Sequence, residues 1–149
     1  MPPMVDMPRK DVPPPLELVK SRIEELLPPD AKTLVDAGDV ALIDTRPAED
    51  FEAGRIPGAA NVAAGENGVD AHDAAFAEAI AAAAEGKPVV LYCNSGNRSA
   101  RAADALTNEH DVEGARSVVG GIKLWNDLGY PVEGEIRTDD EDETEDGEG

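Results

Sequence analysis

Cys93 is the single cysteine of the chain, and it stands where an apolar run meets a polar, glycine-containing loop. The run over residues 89–92 is short and apolar, which is typical of a buried parallel strand. A helix is predicted to begin in the loop that follows, and the first N–H groups of a helix have no partner within it. Such a position lowers the pKa of a thiol from about 8.5 to roughly 3.5–7.5, so the nucleophilic thiolate exists at neutral pH.

The alternative for Cys93 is core packing, since a lone cysteine is more often a small buried hydrophobe. A core position places no demand on the residues that follow it. Here the following residues offer donors to an anion, which favours a nucleophile. The candidate substrate-binding residues are Asn94, Ser95, Gly96, Asn97, Arg98 and Ser99.

Three of these loop residues have individual roles to consider. Gly96 permits the backbone angles that a curved anion-binding loop needs. Arg98 offers a fixed positive charge and a forked donor to an anionic substrate, or it points into solvent as an ordinary residue of the first helical turn. Ser99 either donates its hydroxyl to the sulfur or is a first-turn residue without a chemical role.

A second polar group, Asp44 and Arg46, follows the apolar run over residues 40–43. Two strand ends of a parallel sheet meet at the same edge, where ligands bind. An isolated Asp–Arg pair beside a loop is more often a brace that holds the site through buried hydrogen bonds, and we assign both residues that supporting role. His72 and His110 flank helices and are convincing neither as bases nor as ligands, and we expect no metal and no cofactor.

Short apolar runs alternate with helical segments, which predicts an α/β fold with an open, mostly parallel sheet covered by helices on both faces. Gly120 and Gly121 are expected to make a tight turn against the cysteine loop, and Trp125 is expected in the core. The predicted strands cover residues 22–26 at an edge, 40–43, 59–62, 89–93 and 116–119. The predicted helices cover residues 48–53, 72–85, 97–109 and 121–128. One more helix is predicted to follow a turn at residues 28–30 and to run through Val35 to Gly38. Residues 54–58 are predicted to form turns.

Length and composition limit the functions that the chain can have. The 149 residues fit one domain, and 32 acidic against 13 basic residues give a net charge of −19. So acidic a chain is not expected to bind nucleic acid or an anionic membrane surface. One cysteine excludes an internal disulfide and any CxxC site. With no signal-like or membrane-spanning apolar stretch in the sequence, we expect a cytoplasmic protein.

The charge is unevenly distributed along the chain. Residues 1–17 form a proline-rich segment that we expect to be a flexible arm, residues 18–136 form the predicted domain, and residues 137–149 form an acidic tail. The tail holds no apolar side chain after residue 138 and is predicted to be disordered. Without the tail acids the rest is still strongly acidic, which suggests an origin in concentrated salt; an ordinary solvated acidic surface is the alternative.

Four motifs lie between about residue 20 and about residue 133: Leu42–Arg46, Gly54–Ala59, Cys93–Ser99, and Gly120-Gly121 followed by Trp125. They occur in the order seen in rhodaneses, and the chain resembles a single-domain rhodanese. In that family the strand-end cysteine takes a sulfane sulfur from a donor, holds it as a persulfide and passes it to an acceptor. The chain departs from the family pattern at Arg55, where histidine is usual, and at Asp50 and Phe51, and these positions are structural in the family.

The resemblance implies a sulfurtransferase that uses thiosulfate or a similar small donor, with a small molecule or a sulfur-acceptor protein as partner. Two other functions stay open. A cysteine-based phosphatase or arsenate reductase has a similar loop, but it needs the spacing C-x5-R around a tetrahedral oxyanion, whereas Cys93 to Arg98 is C-x4-R. A non-catalytic rhodanese-like binding or sulfur-relay module is the other, although such modules commonly lose the cysteine.

Overall fold

The computed structural model describes residues 15–136, so the predicted tail and most of the predicted arm lie outside the described residues. None of the helices within this range is long and apolar enough to cross a membrane. The helices are α1 (Leu16–Ser21), α2 (Pro28–Ala37), α3 (Ala48–Ala53), α4 (Ala74–Ala84), α5 (Asn97–Glu109) and α6 (Gly121–Asp127), with a 3-10 segment at Glu66–His72. The strands are β1 (Glu24–Leu26), β2 (Ala41–Asp44), β3 (Gly54–Arg55), β4 (Ala60–Asn61), β5 (Val89–Tyr92), β6 (Arg116–Val118) and β7 (Glu133–Gly134).

Five strands form one sheet in the order β1-β6-β5-β2-β4, and every pairing within it is parallel. All four residues of the central strand β5 are buried, as its uninterrupted apolar run predicts. Apolar clusters lie on both faces of the sheet. Residues of α4 and α5 pack on one face, and residues of α2 and α6 pack on the other. The predicted open α/β sheet with helices on both faces is therefore confirmed.

The helices that flank the cysteine loop follow from local sequence. The segment of α4 is almost entirely alanine and other strong helix formers. The helix ends at Ala84, because Glu85 and Gly86 after it have positive φ angles. Observed α4 begins two residues later than predicted, at Ala74, because Asp73 is extended. Helix α5 covers Asn97–Glu109 as predicted, and Trp125 is only 2% exposed, as expected of a core residue.

The structure corrects the sequence prediction at several other places, among them residues 28–30, which were expected to be a turn but begin α2. Leu16–Ser21 is a helix, although no element was predicted there and residues 16 and 17 were assigned to the flexible arm. Residues 66–72 form a 3-10 segment that was not predicted. Residues 54 and 55 were expected to be turn material, but β3 pairs antiparallel with β7. Gly54 makes this pairing possible, since a Cβ there would lie 2.3 Å from the carbonyl oxygen of Glu135. Pairing between such distant segments leaves no local sequence signal.

Candidate active site

Cys93 lies immediately after β5, at the carboxyl end of the central strand, and it is fully buried. The backbone turns at Gly96, which precedes the first residue of α5 with a φ of 99°, a conformation that favours glycine. The loop therefore passes around the sulfur and enters the helix directly above it. Of the predicted loop residues, Asn94, Gly96, Arg98 and Ser99 are buried, while Ser95 and Asn97 are half-buried.

Two backbone N–H groups point at the cysteine sulfur. The Gly96 nitrogen is 3.1 Å from Cys93 Sγ, and the Ser99 nitrogen is 3.4 Å from it. The hydroxyl of Ser99 adds a third donor at 3.6 Å. Donors converging on one atom stabilise its negative charge, so this arrangement favours a thiolate over a thiol.

The Ser99 hydroxyl belongs to a buried hydrogen-bonded pair that the sequence analysis did not anticipate. Ser99 Oγ lies 2.8 Å from the hydroxyl of Ser117 on β6, and both residues are 0% exposed. The available signal was a single polar residue in an otherwise apolar end of a predicted strand. That signal alone does not say which group the hydroxyl meets.

Arg98 is only 7% exposed, so the alternative in which it points into solvent is wrong. It lies in the first turn of α5, close to the 3-10 segment: a Cβ at Gly68 would lie 3.3 Å from the Arg98 carbonyl oxygen. The Arg98 side chain is thus buried within the protein. A buried guanidinium can bind an anionic substrate through its forked N–H donors.

The start of α6 holds the cysteine loop from the other side. The N–H groups of Ile122 and Lys123 donate to the carbonyl oxygens of Cys93 and Asn94, at 2.9 and 3.1 Å. Gly121 allows this approach, because a Cβ there would lie 2.4 Å from the Cys93 carbonyl oxygen. Gly120 and Gly121 thus make the predicted tight turn, and the turn holds the backbone of Cys93 in place.

Asp44 and Arg46 form a buried ion pair at the end of β2. Two guanidinium nitrogens of Arg46 donate to the Asp44 carboxylate, with 2.8 Å as the shortest distance, and one of them also donates to the Gly54 carbonyl at 2.6 Å. Burial lowers the pKa of Arg46, but the hydrogen bond and charge of Asp44 outweigh this effect and raise it. The Asn61 amide donates to the carbonyl oxygens of both residues. These contacts suit the supporting role that we proposed for the pair.

Tyr92 links this pair to the neighbouring backbone. Its hydroxyl accepts a hydrogen bond from the Ile56 N–H at 3.1 Å, and its ring lies 6.0 Å from the Arg46 guanidinium carbon. Burial, followed by the negative charge of Asp44, raises the pKa of Tyr92 above its ordinary value. Tyr92 is therefore a neutral phenol at every physiological pH.

Both histidines make contacts between the 3-10 segment and the end of α5. His72 Nδ1 lies 2.7 Å from the Glu109 carboxylate, and His110 Nε2 lies 3.0 Å from the Ala71 carbonyl oxygen. Within residues 15–136, no group of three His, Cys, Asp or Glu side chains is placed to hold a metal ion.

Comparison with known proteins places this geometry in a family. Among curated proteins, the adenylyltransferase and sulfurtransferase MOCS3-1 of Drosophila pseudoobscura pseudoobscura is 33% identical over 96 residues, which cover 61% of this chain. The aligned region is 20% of that protein, so the chain spans about a fifth of the relative's length.

Two solved structures show the same similarity at the level of the fold. The human single-domain sulfurtransferase is 30% identical with a TM-score of 0.55, and the alignment covers 69% of this chain and 95% of that one. A Rhodopseudomonas palustris protein of unknown function, described as "Possible Tyrosine Phosphatase", is 28% identical with a TM-score of 0.65 and coverages of 89% and 99%. A model of the rhodanese-like domain matches residues 27–128, well over half of the sequence, and the chain therefore belongs to the rhodanese-like domain family.

Proposed function

We propose that the protein is a sulfurtransferase that carries sulfur as a persulfide on Cys93. The observation that supports this most directly is the convergence of the Gly96 and Ser99 N–H groups on the cysteine sulfur, at 3.1 and 3.4 Å. Donors held in this way stabilise the attacking thiolate without reorganising during the reaction. The sulfurtransferases among the related proteins support the same chemistry.

The reaction consists of two displacements at sulfur. The Cys93 thiolate attacks the outer sulfur of a donor such as thiosulfate, a new S–S bond forms, the S–S bond of thiosulfate breaks, and sulfite leaves with the bonding pair. A nucleophilic acceptor then attacks the outer sulfur of the persulfide and releases the Cys93 thiolate. With cyanide as acceptor the product is thiocyanate, so no external oxidant or reductant is needed.

The other loop residues have supporting roles in this proposal. The backbone from Asn94 to Ser99 lines the position of the transferred sulfur, and Gly96 gives the curvature. Arg98 balances the charge of the anionic donor, because its buried guanidinium is a cation with several N–H donors. Asp44 and Arg46 hold the neighbouring strand end in place through their paired hydrogen bonds.

A phosphatase is the second candidate, since the Rhodopseudomonas palustris protein carries that description. The loop length argues against it. A tetrahedral oxyanion needs one residue more between cysteine and arginine than the four that separate Cys93 from Arg98. In this chain the N–H groups of Gly96 and Ser99 instead converge on a single sulfur atom, that of Cys93.

Intact-mass measurement after incubation with thiosulfate tests the proposal. The protein should gain the mass of one sulfur, cyanide should remove it as thiocyanate, and Cys93→Ser should show neither change. The same samples are assayed with p-nitrophenyl phosphate, for which no Cys93-dependent hydrolysis is expected. Turnover of thiosulfate by Cys93→Ser, or phosphate-ester hydrolysis that depends on Cys93, would show that the reaction has been assigned incorrectly. A mass gain without cyanide turnover would favour the sulfur-relay alternative.

The composition supports two further proposals. An unpaired cysteine that must stay reduced to react is best suited to the cytoplasm. The charge of −19 on 149 residues suits a protein that stays soluble in concentrated salt.

A further inference from the structure

Ser117 is a buried polar residue in apolar surroundings. It is 0% exposed on β6, between β1 and β5 in the sheet. Its partner in register on β5 is Leu91, which belongs to the apolar cluster under α4 and α5. A hydroxyl in this position needs a hydrogen-bond partner, because burying an unsatisfied polar group is unfavourable. The hydroxyl of Ser99 is that partner, at 2.8 Å.

The direction of this hydrogen bond follows from the acceptors that are available to the two hydroxyl protons. Ser99 Oγ lies 3.4 Å from the Gly96 carbonyl oxygen and 3.6 Å from Cys93 Sγ, so its proton has acceptors besides Ser117. If Ser99 donated to Ser117, the Ser117 proton would be buried with no acceptor among the contacts of residues 15–136, and the sulfur would lose a donor. If Ser117 donates to Ser99, each of the two hydroxyl protons has an acceptor.

We propose that Ser117 is a positioning residue that makes Ser99 a hydrogen-bond donor to the Cys93 thiolate. With the Ser117 proton on Ser99 Oγ, the Ser99 proton is left to the Gly96 carbonyl or to the sulfur. A charged acceptor forms the stronger hydrogen bond, so ionisation of the thiol directs the Ser99 proton to the sulfur. Ser117 thus lowers the pKa of Cys93 through Ser99 without touching the sulfur.

The test is a titration of the Cys93 thiolate by its ultraviolet absorbance, with Cys93→Ser as the baseline. One cysteine in the chain makes the signal unambiguous. Ser99→Ala removes a hydrogen bond to the charged sulfur and should raise the pKa of Cys93 by about half a unit or more. Ser117→Ala should raise it in the same direction by less, because the Ser99 hydroxyl then loses the hydrogen bond that holds and polarises it. The double variant should match Ser99→Ala, because Ser117 acts only through Ser99.

Two control variants separate this role from simple packing. Ser117→Thr keeps the hydroxyl and should titrate like the wild type. Thr45→Val removes another fully buried hydroxyl, which donates to the Tyr92 carbonyl oxygen. That oxygen still accepts the backbone N–H of residue 45, so this variant should leave the titration of Cys93 unchanged. An unchanged pKa in Ser117→Ala, an additive shift in the double variant, or an alanine-like titration of a folded Ser117→Thr would each overturn the inference.

The inference rests on the proposed function only in taking Cys93 as the nucleophile. The titration uses no sulfur donor and no acceptor. A protein that shows the coupled pKa shifts but gains no sulfur from thiosulfate would refute the proposed function and support the role of Ser117. A protein that transfers sulfur without the coupled shifts would do the reverse.

Discussion

Gly96→Ala should remove most of the sulfur transfer, because a side chain at residue 96 conflicts with the turn that carries the N–H groups to the sulfur. The φ of Gly96 is +99°, and an added Cβ would lie 3.0 Å from the Gly120 nitrogen and 3.2 Å from the Val118 carbonyl oxygen. Both neighbours are backbone atoms, so no side-chain rotation relieves the contact. The loop itself must move.

The size of the effect follows from the contacts of Gly96. The positive φ alone costs about 1–2 kcal/mol of stability for a residue with a Cβ. Movement of the loop also takes the Gly96 N–H away from Cys93 Sγ, which it now meets at 3.1 Å. A hydrogen bond to a charged group is worth about 1.5–3 kcal/mol. At about 1.36 kcal/mol for each tenfold change, the rate should fall about 10-fold to 150-fold.

Gly86→Ala is the matched control for this substitution. Gly86 has a φ of +85°, and a Cβ there would meet nothing within 4 Å. Gly86→Ala should lose stability through the positive φ alone, without the steric conflict at residue 96, and it should transfer sulfur at the wild-type rate. The assay is thiocyanate formation from thiosulfate and cyanide, with denaturant unfolding of each variant. Wild-type activity in Gly96→Ala, or equal losses of activity in both variants, would refute the argument.

Two other predictions concern pH and salt. Because burial and Asp44 raise the pKa of Tyr92, the unfolded chain ionises this residue first, at a pH of about 10, and the stability it contributes below that pH is lost as the pH rises further. The free energy of unfolding should therefore fall more steeply above pH of about 10 in the wild type than in Tyr92→Phe, and parallel curves would contradict this. The acidic surface repels itself in dilute buffer, so the Tm should rise from low to molar salt; a flat or falling Tm would rule out the proposed adaptation to salt.

The sequence predicted those features that depend on local pattern. The apolar run before Cys93 predicted a buried strand, and the polar loop with Gly96 predicted a turn into α5; both are present. The Gly120-Gly121 turn was also predictable, because two glycines after a strand allow close backbone approach. Local pattern was sufficient here because each of these elements is determined by residues that are close in sequence.

The remaining features depend on contacts between distant segments. Ser117 meets Ser99 only because β6 and α5 pack together, and nothing in the sequence around either residue indicates the pair. The pairing of Gly54 with Gly134 is equally invisible in a turn-like sequence. The burial of Arg98 could not be decided either, since a first-turn arginine faces solvent or protein according to the segment that packs beside it.

The strand order has a consequence for synthesis of the chain on the ribosome. Strand β1 precedes the other described strands in the chain, but it pairs with β6. Glu24 therefore cannot join the sheet until Arg116 has been synthesised. The hydrogen bond from the Ile122 N–H to the Cys93 carbonyl oxygen likewise cannot form until Ile122 has been synthesised. The nascent chain thus presents its thiol before the α6 hydrogen bonds to the cysteine loop exist, and the sheet and the reactive loop are completed only after β6 and the start of α6 have been synthesised.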